Sequence, residues 1–187
     1  MKIGVLALQG NYSEHYNKIS RFGEVPIYIK DKSTLFKCDG LIIPGGESTV
    51  ISKMLDYNGL RKSILEIKNK INIMGVCAGM IMLSKTTKYE NLKPLSIMDF
   101  EIKRNGYGRQ INSFNSLVEL SSGDLVSATF IRAPKIISWN KSIKCLAKFN
   151  DDPVLITDGI HLASSFHPEY SLDFSVYNYF KQLIEKS

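Results

Sequence analysis

The chain has 187 residues, 44% of them hydrophobic, which is enough to bury a core of ordinary single-domain size. Lys and Arg outnumber Asp and Glu by 24 to 18 for a net charge of +6, but the basic residues are scattered singly, as at Lys18, Lys53, Lys62, Lys103 and Lys141. That scatter argues against a nucleic-acid-binding stripe, and no apolar run has the length of a membrane span or the makeup of a secretory leader.

Apolar, β-rich runs alternate with segments of helical period, the rhythm of an α/β sheet. The first run is Ile3 to Leu8. A helix is expected from Tyr12 to Phe22, with Tyr12, Tyr16 and Ile19 on one face and Gly23 near its end. Val25 to Ile29 and Leu41 to Ile43 read as strands, the second closed by Pro44-Gly45-Gly46. Ser48 suits the cap of a helix carrying Val50, Ile51, Met54 and Leu55, and a second helix covers Leu60 to Asn69. Ile71 to Val76 is a buried strand, left by a helix over Ala78 to Ser84.

After Pro94 the pattern changes to short alternating runs: Met98 to Lys103, Ser116 to Leu120, Leu125 to Ile131, Lys144 to Phe149 and Val154 to Thr157. These read as antiparallel additions to a parallel core. Ile160 to Phe166 is a further strand, and Phe174, Tyr177, Phe180 and Leu183 mark a last amphipathic helix. With no repeat or linker in view, one domain over residues 1–187 is expected: an α/β fold in three layers, an open and mostly parallel sheet with helices on both faces and added antiparallel strands. Cys38, Cys77 and Cys145 are odd in number, far apart and in no C-x-x-C pair, so neither a disulfide framework nor a metal site is expected, and a reducing cytoplasm fits.

The segment Gly75-Val76-Cys77-Ala78-Gly79 joins a buried strand to a helix through a nucleophile-type residue between two glycines. That is the layout of a nucleophile elbow with Cys in place of Ser. A sharp turn of this kind strains the nucleophile's backbone and needs neighbours without bulk, and it sets Cys77 at a helix N-terminus, where the dipole favours a thiolate. Taken alone, Cys77 fits a small apolar residue of a buried strand equally well.

A thiolate that attacks an amide needs a base and a group to orient that base. Of His15, His161 and His167, only His167 stands at the carboxyl end of an expected strand, in Phe166-His167-Pro168-Glu169. If the segment is extended, His167 and Glu169 project to one side and the carboxylate holds the imidazole. His161 reads as structural, and His15 has no nucleophile near it in sequence. Donors for an oxyanion are available from the Ala78 N–H and from the loop Pro44-Gly45-Gly46-Glu47-Ser48, where paired glycines admit a close approach of backbone to ligand.

Together the Cys elbow, the Gly-Gly loop and His167-Pro168-Glu169 resemble the class I, triad-type glutamine amidotransferases. More narrowly the chain is similar to the branch that forms the glutaminase subunits of pyridoxal 5'-phosphate synthases. Leu8-Gln9-Gly10 with Glu14-His15, Pro44 to Thr49, Arg104-Asn105-Gly106-Tyr107-Gly108-Arg109-Gln110 and Phe130-Ile131-Arg132-Ala133-Pro134 carry the narrower likeness. The resemblance implies Cys77 as nucleophile, His167 as general base and then acid, and Glu169 as its orienting partner. It implies a glutamine pocket of Gly46, Glu47, Ser48, Arg104, Ile131 and Arg132, an oxyanion site of Gly45, Gly46 and Ala78, and a role for Gln9 in sensing the partner. That partner would be a separate synthase barrel of the PdxS/SNZ type that receives the ammonia, while this chain binds no pyridoxal phosphate or other cofactor. Gly106 departs from the family's usual Ser or Ala, and Asn115 from a frequent Glu. A glutaminase serving another synthase, a cysteine peptidase or chaperone with a similar elbow, and a binding module without turnover remain the alternatives.

Overall fold

Residues 1–86, 88–107 and 113–187 are described by a computed structural model; Gly108, Arg109 and Gln110 of the expected Arg-Asn motif lie outside the described residues. The strands are β1 (Lys2–Leu6), β2 (Val25–Ile29), β3 (Gly40–Ile43), β4 (Asn72–Val76), β5 (Phe100–Lys103), β6 (Ser113–Leu120), β7 (Leu125–Ile131), β8 (Lys135–Trp139), β9 (Lys144–Phe149), β10 (Asp152–Thr157) and β11 (Leu162–Ser164). The helices are α1 (Tyr12–Arg21), α2 (Lys32–Leu35), α3 (Ser48–Tyr57), α4 (Leu60–Ile67), α5 (Ala78–Leu83) and α6 (Ser175–Glu185).

Nine strands form one sheet in the order β2-β1-β3-β4-β11-β10-β9-β6-β7. The first five run parallel, and β11 begins an antiparallel series through β10, β9, β6 and β7. The antiparallel additions to a parallel core are thus present. Period-two alternation sorts the central strands onto two faces. Leu41 and Ile43 of β3 and Ile73 of β4 join the core under α3, α4 and α5, whereas Ile42, Met74 and Val76 join Ile19 of α1 and Val176, Phe180 and Leu183 of α6 on the other side. Helix, sheet and helix make the three layers.

Several local expectations shift. In α1, Tyr12 and Tyr16 pack on Tyr28 of β2 and stay half-buried, while His15, Lys18 and Ile19 form the buried face. Polar side chains are tolerated there because each is bonded: His15 to the Tyr177 hydroxyl at 2.7 Å and Lys18 to the Ser171 carbonyl at 2.6 Å. The cap of α3 is Glu47, not Ser48; its carboxylate accepts from the N–H groups of Thr49 and Val50, and Ser48 becomes the first helical residue. Helix α2 and strand β8 were not expected. The first is one turn closed by the Asp31 cap, too short to show periodicity, and the second is a mostly exposed strand that pairs with β5 in a separate two-stranded sheet.

Candidate active site

The parallel topology decides where the motifs meet. Strands β1, β3, β4 and β11 are adjacent and point the same way, so Gln9, Gly45-Gly46, Cys77 and His167, which follow them, gather at one carboxyl edge. Cys77 has φ 49° and ψ −101°, a conformation rare for a side-chain-bearing residue, and its N–H donates to the Ser164 carbonyl at 2.8 Å. The helix that leaves it presses against β3: a methyl group at Gly79 would collide with the Ile43 carbonyl, so only glycine fits there. The expected elbow is present.

His167 is almost fully buried, and its Nδ1 lies 2.7 Å from Glu169 Oε1. The route to this contact differs from the extended geometry expected. His167 is extended at φ −100° and ψ 90°, but Pro168–Tyr170 form a 3₁₀ turn with proline at its start, where a fixed φ and a missing N–H cost nothing. The turn brings Glu169 back under the ring. Burial acts to lower the His167 pKa, but the neighbouring Cys77 sulfur and the Glu169 carboxylate bonded to Nδ1 outweigh it and hold the value up at about 10. Burial also opposes the Glu169 charge, yet the neighbouring His15 and His167 keep its carboxyl below the usual range. The Cys77 thiol faces the Ile131 carbonyl at 3.6 Å, and His167 Nε2 has no hydrogen-bond partner among the described residues.

These residues open on a pocket of about 610 Å³. Gln9, Gly46, Glu47, Ser48, Cys77, Ala78, Arg104, Ile131, Arg132 and His167, all expected from sequence, line it; Gly45 packs against the His167 ring, and Glu169 stands behind that ring. The Gln9 side chain accepts from the Glu47 N–H at 2.7 Å and so pins the Gly-Gly loop to the end of β1. Glu47 also bonds Arg104 at 3.1 Å. Burial disfavours its charge, but the bonds from Thr49 and Val50 and the Arg104 guanidinium hold the carboxyl below its ordinary range. A carboxylate and a guanidinium therefore stand side by side in the lining of the pocket that Cys77 also lines. The Ser48 hydroxyl is buried without a partner among the described residues, a donor and acceptor in reserve for a ligand. Arg132 sits at φ 45°, a tight left-handed turn where β7 leaves the sheet.

A family model described as the SNO glutamine amidotransferase family matches residues 5–186. This chain belongs to that family. A pyridoxal 5'-phosphate synthase subunit PdxT from Pseudothermotoga lettingae is 41% identical over 98% of this chain and 95% of its own length. Another of the same name, from Thermoanaerobacter sp. (strain X514), is 43% identical over 98% and 99%. A solved structure described as a glutamine amidotransferase superposes with a TM-score of 0.93 at 35% identity, with 98% of each chain covered. As an SNO glutamine amidotransferase the chain is a glutamine-hydrolysing enzyme.

Four side chains of this family member were missed as site residues. Asn11 Nδ2 lies 3.5 Å from Glu169 Oε1, His15 Nε2 lies 3.4 Å from Glu169 Oε2, the Tyr170 ring stands 5.8 Å from that of His167, and the Tyr89 hydroxyl accepts from the Arg104 N–H at 2.8 Å. Only His15 carried a signal, its place in the Glu14-His15 motif, and it was set aside for want of a nucleophile nearby in sequence. Gly106, the departure from the family pattern, has no room for a side chain, because a methyl group there would run into Lys135 of β8. Asn115 is exposed on β6.

Proposed function

We propose that the chain converts L-glutamine to L-glutamate and ammonia through a γ-glutamyl thioester on Cys77, and that the ammonia passes to a PdxS/SNZ-type synthase barrel for pyridoxal 5'-phosphate synthesis. The reading rests on one observation above others: a strained cysteine and a buried His167–Glu169 pair meet at a pocket whose lining also holds the paired Glu47 and Arg104. That pair suits a zwitterion. The α-ammonium of glutamine would pair with Glu47 and its α-carboxylate with Arg104, assisted by Arg132 and by the free Ser48 hydroxyl.

With glutamine so placed, the Cys77 thiol passes its proton to His167 and the thiolate attacks the side-chain carbonyl. The Ala78 N–H at the start of α5 and the Gly45-Gly46 loop hold the oxyanion. His167 gives a proton to the leaving ammonia, then takes one from the water that cleaves the thioester, returning the thiol and releasing glutamate. Gln9, which ties the loop through the Glu47 N–H, is placed to report docking of the synthase. One domain carries all of this. Among the described residues no helix is long and apolar enough to cross a membrane.

Glutamate release is to be measured with and without the cognate synthase subunit, for the wild type and for Cys77→Ala. Turnover that rises on adding the subunit and disappears in Cys77→Ala is the expected result. A Cys77→Ala complex that still hydrolyses glutamine refutes the assignment.

A further inference from the structure

Behind the proposed triad, on the side away from the pocket, lies a second imidazole. His15 of α1 is fully buried, with Nε2 3.4 Å from Glu169 Oε2 and Nδ1 2.7 Å from the hydroxyl of Tyr177, itself buried on α6. Glu169 thus has one oxygen bonded to His167 and the other facing His15 at 3.4 Å, where His15 Nε2 and Glu169 Oε2, both buried, have no other hydrogen-bond partner among the described residues and lie too poorly aligned to count as one bond. A buried carboxylate with an oxygen facing a lone pair would be strongly disfavoured. An imidazole with its proton on Nδ1 would present such a lone pair to Glu169, whereas a proton on Nε2 presents a donor. Glu169, which can only accept, selects the second arrangement, and the Tyr177 hydroxyl supports it by donating to Nδ1.

We infer that His15, held by Tyr177 in the neutral form with its proton on Nε2, is a positioning residue that aligns Glu169 and through it the His167 base. The inference rests on the glutaminase reading of the same site. Burial holds the His15 pKa below its ordinary value, against the charge of Glu169 and with that of His167, and Glu14 acts weakly in the direction of Glu169. Burial likewise keeps Tyr177 a phenol, well above its usual range. A neutral His15 suits this place better than an imidazolium, which would draw the Glu169 charge away from His167. The orientation of the triad then depends on how α1 and α6 pack, since one carries His15 and the other Tyr177.

Glutamate release by the complex with the synthase subunit separates positioning from substrate binding. His15→Leu is expected to lower kcat about 10- to 100-fold, the loss that follows when a buried carboxylate oxygen is left with no polar group facing it, with KM for glutamine within about twofold. His15→Gln, whose amide nitrogen reaches the place of Nε2, restores most of that loss. Tyr177→Phe lowers kcat in the wild-type background but has no further effect on His15→Gln, because an amide has no tautomer to select. Proton–nitrogen correlation spectra of histidine-labelled wild type are expected to show His15 protonated at Nε2 alone near neutral pH, and Tyr177→Phe to weaken that preference. Wild-type kcat in His15→Leu, equal losses in His15→Leu and His15→Gln, or a His15 protonated at Nδ1 each overturns the inference. If the substitutions impair folding, the spectra of the wild type decide. A wild type that does not hydrolyse glutamine defeats the functional reading instead, and leaves the tautomer measurement to stand or fall by itself.

Discussion

Cys77 has its unusual backbone because three things agree: a strand that ends at Val76, a helix that starts at Ala78, and a glycine at position 79 against the Ile43 carbonyl. Gly79→Ala is expected to push α5 from β3, with a cost of about 1–3 kcal/mol in denaturant unfolding and a fall in turnover. Unchanged stability would mean that the elbow tolerates bulk. Glu169→Gln keeps size but removes the charge that holds His167. The kcat for glutamine hydrolysis is expected to fall about 10²- to 10⁴-fold, with KM nearly unchanged. At this scale the sequence was legible wherever chemistry is local, as in His167-Pro168-Glu169, although the turn that joins them is 3₁₀ and not extended. It was illegible for Glu47, whose carboxylate caps α3 while also pairing with Arg104, 57 residues away in the chain.

Among the elements, those with a clear apolar period were read correctly, and α2 and β8, too short or too exposed to show one, were not. Helix α6 announced itself through Tyr177, Phe180 and Leu183, all buried in the face it shares with α1. Phe180→Ala is expected to cost about 3–5 kcal/mol in urea unfolding, since its ring is fully buried. A loss below about 1 kcal/mol would show that the face closes over the gap. Strand β8 offered only Ile136 as a core residue and exists because β5 pairs with it. The same contact explains Gly106. Gly106→Ser is expected to push the turn at residue 106 away from Lys135 of β8 and lower the unfolding midpoint, which thermal denaturation would detect.

For the molecule as a whole, three buried histidines set opposing pH dependences. Burial keeps His15 and His161 below the ordinary value of 6.5, so their contribution to stability is complete above that pH and is lost as pH falls below it. His167, raised to about 10, behaves oppositely: its contribution is complete below 6.5 and is lost as pH rises toward 10. The unfolding free energy from urea titrations is therefore expected to peak near pH 6.5 and fall on both sides. In His167→Gln the alkaline fall should flatten; an unchanged alkaline limb would remove His167 as its cause. The sequence by itself determined the nucleophile elbow, the His167-Pro168-Glu169 segment and the α/β rhythm, because each is written in residues within a few positions of one another or in a simple period, whereas the pocket residues were expected only through the likeness of whole motifs to a family. The tertiary structure alone decided that β1, β3, β4 and β11 lie side by side, that Glu47 meets Arg104, and that His15 and Tyr177 close behind Glu169. These are contacts between distant segments, and only the packing of helices on the two faces of the sheet sets which side chains they bring within reach.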